Sequence, residues 1–215
     1  MKSSIILTLV LAMSSIGLRG ATFFNFASAP TSTDLPLSLG IQFTANTEIS
    51  VTSLGYYDFG GDGFLSSHVV GIFDSNGVLL GSTSLAAGTS ATLVGDFRYQ
   101  TIGPIILSEG ETYVMAATTN GNLDPWAYGT PGTNITGFNV DPAITISPGA
   151  ALFLYQADNI LRDPTDSVGY TIYAGPNVMG DAVPEPATGL LMGVPLLAFF
   201  YLHQRSRRLA AARRV

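Results

Sequence analysis

The feature that most constrains this chain is the repeated alternation of short apolar runs with turn-forming residues. From about residue 22, runs rich in β-branched and aromatic side chains alternate with glycine, proline, asparagine and aspartate. No window between residues 22 and 180 shows a sustained helical period with caps. Many short strands with turns every ~8–12 residues are typical of sandwiches and barrels. We therefore predict an all-β domain over residues 22–180, namely an antiparallel, jelly-roll-like β-sandwich.

The same pattern places twelve candidate strands. They are Thr22–Phe26, Gly40–Thr44, Ile49–Asp58, His68–Asp74, Val78–Ser84, Ala91–Arg98, Ile105–Leu107, Thr112–Thr118, Trp126–Tyr128, Ile135–Asn139, Ala150–Gln156 and Tyr170–Ala174. The run DSNG at residues 74–77 sets Asn-Gly between two apolar runs, which predicts a hairpin. The runs HVVGIF and YVMAA are apolar at successive positions, so we expect both faces of these strands to be covered.

Charge is distributed very unevenly along the 215 residues. Between residues 22 and 183, two arginines, Arg98 and Arg162, stand against fourteen carboxylates, which gives a formal charge near −12. Such a surface repels nucleic acid, so we exclude nucleic-acid binding. The chain has no cysteine, which removes thiol nucleophiles and thiolate metal sites. Its two histidines, His68 and His203, are too far apart to predict a multi-histidine metal site.

The first 21 residues have the order of a secretory signal peptide. Lys2 precedes an apolar core from Ile5 to Met13, and small residues follow. We expect cleavage between Gly17 and Ala21. The alternative is a buried first strand or helix.

The end of the chain has the order of a membrane anchor. Residues 187–202 contain no charge, and as a helix they would span about 24 Å, which approaches the hydrocarbon thickness of a bilayer. Five arginines follow, which predicts a single transmembrane helix with its tail in the cytoplasm and the domain outside. The alternative, a buried terminal strand, does not explain why five of the nine basic residues follow this run.

Residues 183–208 also resemble the PEP-CTERM sorting segment of Gram-negative bacteria, which an exosortase reads and processes. The resemblance implies that Pro184, Glu185 and Pro186 form the sorting motif. It further implies that Arg205, Arg207 and Arg208 form the membrane stop. The product would be an inner-membrane-anchored precursor, later delivered to the cell envelope, cell surface or extracellular matrix. The middle of the chain looks like the β-sandwich domains that often accompany this signal.

One candidate binding site lies in the glycine-rich run between residues 54 and 80. Asp58 and Asp62, with the carbonyl groups around residues 60–63, could gather around calcium, which favours flexible, oxygen-rich loops. The alternative is that the glycines adopt positive φ and the aspartates cap turns.

Two further candidate sites involve His68 and the aromatic residues. His68 follows Ser66 and Ser67 and could serve a hydrolase triad, but no G-x-S-x-G elbow is present, and a structural hydrogen bond is the alternative. Exposed aromatic rings could stack on sugars, and the candidates are Trp126, Tyr128, Tyr56 and Tyr57. The alternative for these rings is packing in the core.

The expected function is therefore that of an exported, non-enzymatic surface or exopolysaccharide-matrix protein. The expected partners are an exosortase-type enzyme, the membrane before processing, and exopolysaccharide. No cofactor is expected, apart from a possible calcium ion. The alternative is a carbohydrate- or calcium-binding module, and a secreted hydrolase using His68 is a third hypothesis. We expect a local ion pair around Arg162 in the loop 157–167, and Asn134 begins a glycosylation sequon.

Overall fold

The computed structural model describes residues 20–33, 36–121, 123–155, 158, 160–167 and 169–184. In chain order these residues form β1 (Ala21–Thr22), β2 (Phe24–Asn25), β3 (Thr31–Ser32), β4 (Leu37–Ala45), β5 (Ile49–Tyr57), β6 (His68–Asp74), β7 (Leu79–Leu85), β8 (Thr92–Val94), β9 (Phe97–Leu107), β10 (Thr112–Thr118), β11 (Trp126–Gly129), β12 (Asn139–Val140), β13 (Ile144–Thr145), β14 (Ala151–Tyr155), β15 (Asp166–Ser167), β16 (Ile172–Ala174) and β17 (Pro176–Ala182). Within these ranges no helix is long and apolar enough to span a bilayer. The predicted all-β class is confirmed.

One main sheet has five strands in the order β1-β17-β5-β9-β8, all antiparallel. Its centre is β5, where Leu54 lies opposite Val178 on one side and Gln100 on the other. The pairing of β5 with β9 shifts register between Val51 and Ser53. An extra residue at such a bulge moves later side chains to the other face, so both Val51 and Leu54 are buried.

The other main sheet has seven antiparallel strands. Six follow the order β15-β14-β4-β10-β6-β7, and β13 also pairs with β4. The long strand β4 pairs with β10 along one side and with β14 and then β13 along the other. Two small sheets, β16-β11-β3 and β12-β2, complete the described fold.

The core lies between the two main sheets. One hydrophobic cluster contains Ile41, Phe43 and Met115 from the seven-stranded sheet together with Val51 and Leu54 from the five-stranded sheet. Alternate residues of a strand point to the same face, so Ile41, Phe43 and Ala45 of β4 all reach this cluster. The fold is therefore sandwich-like.

The outer face of the seven-stranded sheet is also covered, at its centre. Phe73 of β6 and Val114 and Ala116 of β10 form a second buried cluster, against which Leu161 packs. The backbone N–H of Arg162 donates to the Ser38 hydroxyl at 2.9 Å, which attaches this segment to β4. The expectation that β6 and β10 are buried on both faces is confirmed.

The predicted bounds of β6 and β10 match the structure, and the predicted hairpin between β6 and β7 is present. The Asp74 carbonyl accepts from the Gly77 N–H at 3.1 Å, and the Asp74 N–H donates to the Val78 carbonyl at 3.0 Å. Gly77 has φ 76°, a value that glycine adopts at little cost.

Several strand predictions need correction. The strand predicted over residues 105–107 is the end of the longer β9, and the strand predicted over residues 22–26 is divided between β1 and β2. The single strand predicted over residues 91–98 is a hairpin, because Gly95 has φ 59° and Val94 lies opposite Phe97. Glycine at the first turn position with positive φ is typical of a tight hairpin turn. The strand predicted over residues 135–139 is mostly irregular, with a bridge between Ser28 and Thr136. The strand β17 was not predicted, although it pairs with both β1 and β5.

Several predictions concern residues outside the described ranges. The signal peptide core, the transmembrane helix, Glu185, Pro186 and the arginines Arg205, Arg207 and Arg208 all lie there. Pro184 is described and is exposed, two residues after the end of β17. The intervening Val183 N–H donates to the Glu48 carbonyl at 2.8 Å.

Candidate functional site

Two loops meet at one end of the sandwich and form a cleft of about 190 Å³. One loop joins β5 to β6, and the other lies between β10 and β11. Three aspartates and three exposed apolar side chains line the cleft: Asp58, Asp62, Asp124, Phe59, Leu65 and Leu123. The structure thus brings Asp58 and Asp62 into one cleft and adds Asp124 from a distant part of the sequence.

Asp58 is buried, and its carboxylate holds the glycine-rich loop in place. Arg98 donates from Nε to Oδ2 of Asp58 at 2.5 Å, and the Gly63 N–H donates to the two carboxylate oxygens at 3.1 and 3.2 Å. Gly63 has φ 100°, and a Cβ there would lie 2.8 Å from the Thr89 methyl group. A larger residue would therefore be both strained and crowded at this position. Asp58 acts here as a turn cap.

Arg98 ties three chain segments together. Its Nη1 donates to the carbonyls of Ala91 and Thr89 at 3.0 and 3.3 Å, and its Nη2 donates to the Gly61 carbonyl at 2.9 Å. The planar guanidinium suits this arrangement because its donors point in fixed directions. The cleft wall is therefore fixed to β9 and to residues 89–91.

Asp62 is exposed at the rim of the same cleft. Among the residues that the structure describes, no three or more acidic or histidine side chains are grouped as a cation site would require. Calcium binding at Asp58 and Asp62 stays a prediction, and the Asp58 carboxylate is already engaged by Arg98.

Asp124 organises the other wall of the cleft. It accepts hydrogen bonds from the Leu65 N–H at 2.7 Å and from the N–H and hydroxyl of Ser66, each at 2.9 Å. Nε2 of His68 lies 3.0 Å from the same carboxylate. Burial raises the pKa of Asp124, but the hydrogen bonds from His68, Leu65 and Ser66 outweigh it and lower the pKa to about 2. Asp124 therefore holds the start of β6 as a carboxylate.

His68 is fully buried, and both of its ring nitrogens face oxygen acceptors. Nδ1 lies 2.8 Å from the Thr118 carbonyl, and Nε2 faces Asp124. The ring stacks on Tyr56 with centroids 3.8 Å apart and an angle of 7°. Because Asp124 lies between Ser66 and His68, neither ring nitrogen is placed as a base for the Ser66 hydroxyl. His68 thus makes the structural hydrogen bonds of the alternative interpretation.

A second candidate site is an aromatic cluster formed by the small three-stranded sheet and β14. Its members are in ring contact with one another: Trp126, Tyr128, Phe153, Tyr155, Tyr170 and Tyr173. Two pairs arise from alternation along a strand, since residues two apart point to the same face. These pairs are Trp126 with Tyr128 on β11, and Phe153 with Tyr155 on β14.

The cluster grades from buried rings to exposed ones. Trp126 is only 6% exposed and packs edge-on against Tyr173 with centroids 5.0 Å apart, whereas Tyr155 is 63% exposed. Tyr128 and Tyr170 are half-buried. Burial raises the pKa of Tyr173 to about 12, with further contributions from the nearby Tyr170, Tyr155 and Tyr128. Four phenol groups therefore lie near one another at this surface.

These positions correct the prediction of exposed stacking rings. Trp126, Tyr56 and Tyr57 are buried, so core packing describes them. Tyr128 remains accessible, and Tyr155 and Tyr170 belong to the same surface, although sequence reasoning did not select them. The available signal was the aromatic pair at alternate positions in FLY, residues 153–155.

Two remaining sequence features have local structural roles. Arg162 pairs with Asp158, with Nη2 2.7 Å from Oδ2, and both side chains are partly exposed to solvent. The predicted local ion pair is confirmed. The Asn134 side-chain carbonyl accepts from the Thr130 N–H at 2.8 Å, so it caps a turn.

These observations define the class of the protein: an antiparallel, all-β domain with two facing sheets, a loop cleft and an aromatic surface cluster. Residues 26–173 match the family described as "Domain of unknown function (DUF4082)", and the chain belongs to this family. No curated protein matches the chain. The match includes the cleft and all six residues of the aromatic cluster, but it ends before β17.

Proposed function

We propose that this chain is an exported, non-enzymatic protein of the cell surface or exopolysaccharide matrix. The position of Pro184 carries the proposal, because it is exposed directly after the last described strand. A processing enzyme that reads Pro184, Glu185 and Pro186 would meet the first of them beside the folded domain. The acidic domain and the arginine-rich end also suit an outward domain and an inward tail.

Mass spectrometry of the exported protein tests this proposal. We expect loss of the N-terminal signal and of the segment that follows residues 184–186. A triple substitution of Pro184, Glu185 and Pro186 by alanine should leave the C-terminal segment attached, whereas Thr133→Ala, at an exposed turn, should not affect processing. A soluble cytosolic chain with both ends intact would contradict the proposal.

We also propose that the fold is a jelly roll. The orders β1-β17-β5-β9 and β4-β10-β6-β7 support it, because the chain passes repeatedly from one sheet to the other. Two four-stranded sheets wound in this way are the arrangement of double Greek-key sandwiches. On this view β14 extends one sheet beyond the basic eight strands.

The second candidate function is carbohydrate binding at the aromatic cluster. The observation that favours it is the set of accessible rings and phenol groups at Tyr128, Tyr155 and Tyr170. A pyranose has an apolar C–H face that can stack on a ring and hydroxyls that can bond to phenols. Rigid tyrosines provide such contacts at low cost in side-chain entropy.

A glycan array probed with the full chain, with and without calcium, tests this function. We expect Tyr155→Ala to weaken binding at least about tenfold. The matched control is Phe59→Ala, which removes an exposed ring from the loop cleft instead. A loss with Phe59→Ala but not with Tyr155→Ala would place binding in the cleft, and no binding to any glycan would contradict the function. Binding that needs calcium and is lost with Asp62→Asn would also favour the cleft.

A further inference from the structure

The four edge strands of the two main sheets differ in length. Three of them are very short: β1 and β15 have two residues each, and β8 has three. The fourth is β7, which has seven residues. Very short terminal strands are one way in which proteins prevent edge-to-edge pairing. This fold uses that protection at three ends and not at the β7 end.

The β7 strand also lacks charged residues and proline, and its pairing with β6 shifts register only near its start, between Ile72 and Phe73 of β6. Residues 78–95 contain no charged residue and no proline. Charged side chains and proline are the usual means of blocking a sheet edge, and both are absent from this run. By contrast, the free part of β9, where β8 no longer covers it, contains Pro104.

Register shows which backbone groups of β7 face outward. The Val69 N–H bonds to the Thr118 hydroxyl on the β10 side, so the next residue, Val70, directs its backbone groups toward β7. Val70 lies opposite Thr83. Because backbone direction alternates along a strand, Thr83 bonds toward β6 while its two neighbours face away.

Those neighbours are Ser82 and Ser84, and both are exposed. Each presents an N–H and a C=O to the open edge, in the spacing that an added antiparallel strand requires. The serine side chains are small and uncharged, so they do not hinder the approach of another chain.

We propose that the β7 edge pairs antiparallel with the β7 edge of a second copy of this chain, about a twofold axis at Thr83. In this register Ser82 lies opposite the second copy's Ser84, so two such pairs form about the axis. The exposed Leu80 then lies near the second copy's Ala86, which adds apolar contact.

Among the surfaces of the domain, this uncharged edge is the one at which two copies can meet with little charge repulsion. Two domains with formal charges near −12 repel each other, and an uncharged edge lets them meet where the repulsion is least. Pairing through hydrogen bonds and apolar contact should therefore strengthen as salt screens that repulsion. An interface held by ion pairs would weaken instead.

Sedimentation velocity of the full chain, kept in solution with mild detergent, tests the proposal. We expect a dimer whose dissociation constant falls as salt rises from about 0.05 to 0.5 M. Ser82→Lys should raise the dissociation constant at least about tenfold, because two lysines would meet near the axis. Thr133→Lys adds the same charge at an exposed turn and should leave the dimer intact. A monomer at all concentrations would overturn the proposal, as would a dimer equally stable in Ser82→Lys.

A cysteine variant tests the register independently of any loss of stability. The chain has no cysteine, so Thr83→Cys would carry the only thiol. At the axis, residue 83 of one copy faces residue 83 of the other in a non-hydrogen-bonded pair, between the two hydrogen-bonded Ser82–Ser84 pairs. The two Cα atoms of such a pair are about 4.5 Å apart, within disulfide range. We expect mild oxidation to give a covalent dimer with Thr83→Cys and not with Thr133→Cys. Equal cross-linking of the two variants, or none with Thr83→Cys, would overturn the proposed pairing.

Discussion

The two arginines of the described domain form ion pairs of opposite character. Arg98 and Asp58 are both buried, at a separation of 2.5 Å, and Arg98 makes further bonds to three carbonyls. Arg162 and Asp158 lie four residues apart on the surface, where solvent reaches both side chains. The first pair joins segments that are distant in sequence, whereas the second stays within one loop. The comparison shows that the structural role of an Arg–Asp pair depends on its burial and on the other hydrogen bonds that the arginine makes.

The largest expected effect comes from breaking the buried pair. Arg98→Met leaves the Asp58 carboxylate buried without its partner, which should lower the free energy of unfolding by about 3–5 kcal/mol. Urea unfolding followed by the fluorescence of Trp126, the single tryptophan, measures the change. Arg162→Met is the matched control and should have little effect. Equal losses in the two variants would remove the distinction between the pairs.

Acid should remove the stabilisation that the buried carboxylate of Asp124 contributes to the folded chain. The pKa of Asp124 is lowered to about 2 in the folded chain and is near 3.9 when unfolded. Since the folded value is the lower one, its stabilisation is complete above about pH 4 and is lost as pH falls toward 2. The loss should amount to about 2 kcal/mol.

Unfolding free energies at several pH values between 6 and 2 measure this effect, with Asp124→Asn compared against Asp62→Asn. Asp124→Asn should be less stable at pH 6 and should lose less on acidification. Asp62→Asn changes an exposed side chain and should leave the dependence of stability on pH unchanged. An acid profile of Asp124→Asn that parallels the unsubstituted chain would rule out this role.

A smaller effect should come from the apolar attachment of the segment that carries Arg162. Leu161 packs against the buried cluster of Phe73 and Val114 on the outer face of the sheet. Because Leu161 is half-buried, Leu161→Ala should cost about 1–2 kcal/mol, less than a fully buried leucine. The same urea titration measures the loss. A cost no greater than that of Arg162→Met would show that apolar contact does not hold this segment.

The sequence was informative where local signals agreed with the fold. The strands β6 and β10 were found at their observed bounds because their apolar runs are uninterrupted and end at turn residues. The strand β17 was missed because Pro176 and Gly180 both disfavour strand. The structure accommodates Pro176 as the first residue of β17 and Gly180 at a register shift. Local propensity was here overridden by pairing with β1 and β5.

The candidate sites likewise combine features that local sequence predicts with features that depend on tertiary structure. Asp58 and Asp62 are four residues apart, so their presence in one cleft could be predicted. The partners Arg98 and Asp124 lie tens of residues away and reach the cleft only through tertiary pairing. Among the aromatic residues, sequence alone could not separate the buried Trp126 from the exposed Tyr155, because both lie in strands with apolar neighbours.

The smallest effect should come from the exposed pair itself. Asp158→Asn removes the carboxylate that pairs with the Arg162 side chain, but solvent can hydrate the guanidinium at this exposed position. Hydrogen bonding to Arg162, and charge to a lesser degree, lower the pKa of Asp158, yet the side chain is exposed to water and salt. The backbone bond from Arg162 to Ser38 does not involve the side chain and should persist. We therefore expect a melting temperature within about 1 °C of the unsubstituted chain at any salt concentration. Differential scanning calorimetry at low and high salt checks this, and a salt-sensitive drop would mean that this loop depends on its ion pair as the cleft depends on Arg98.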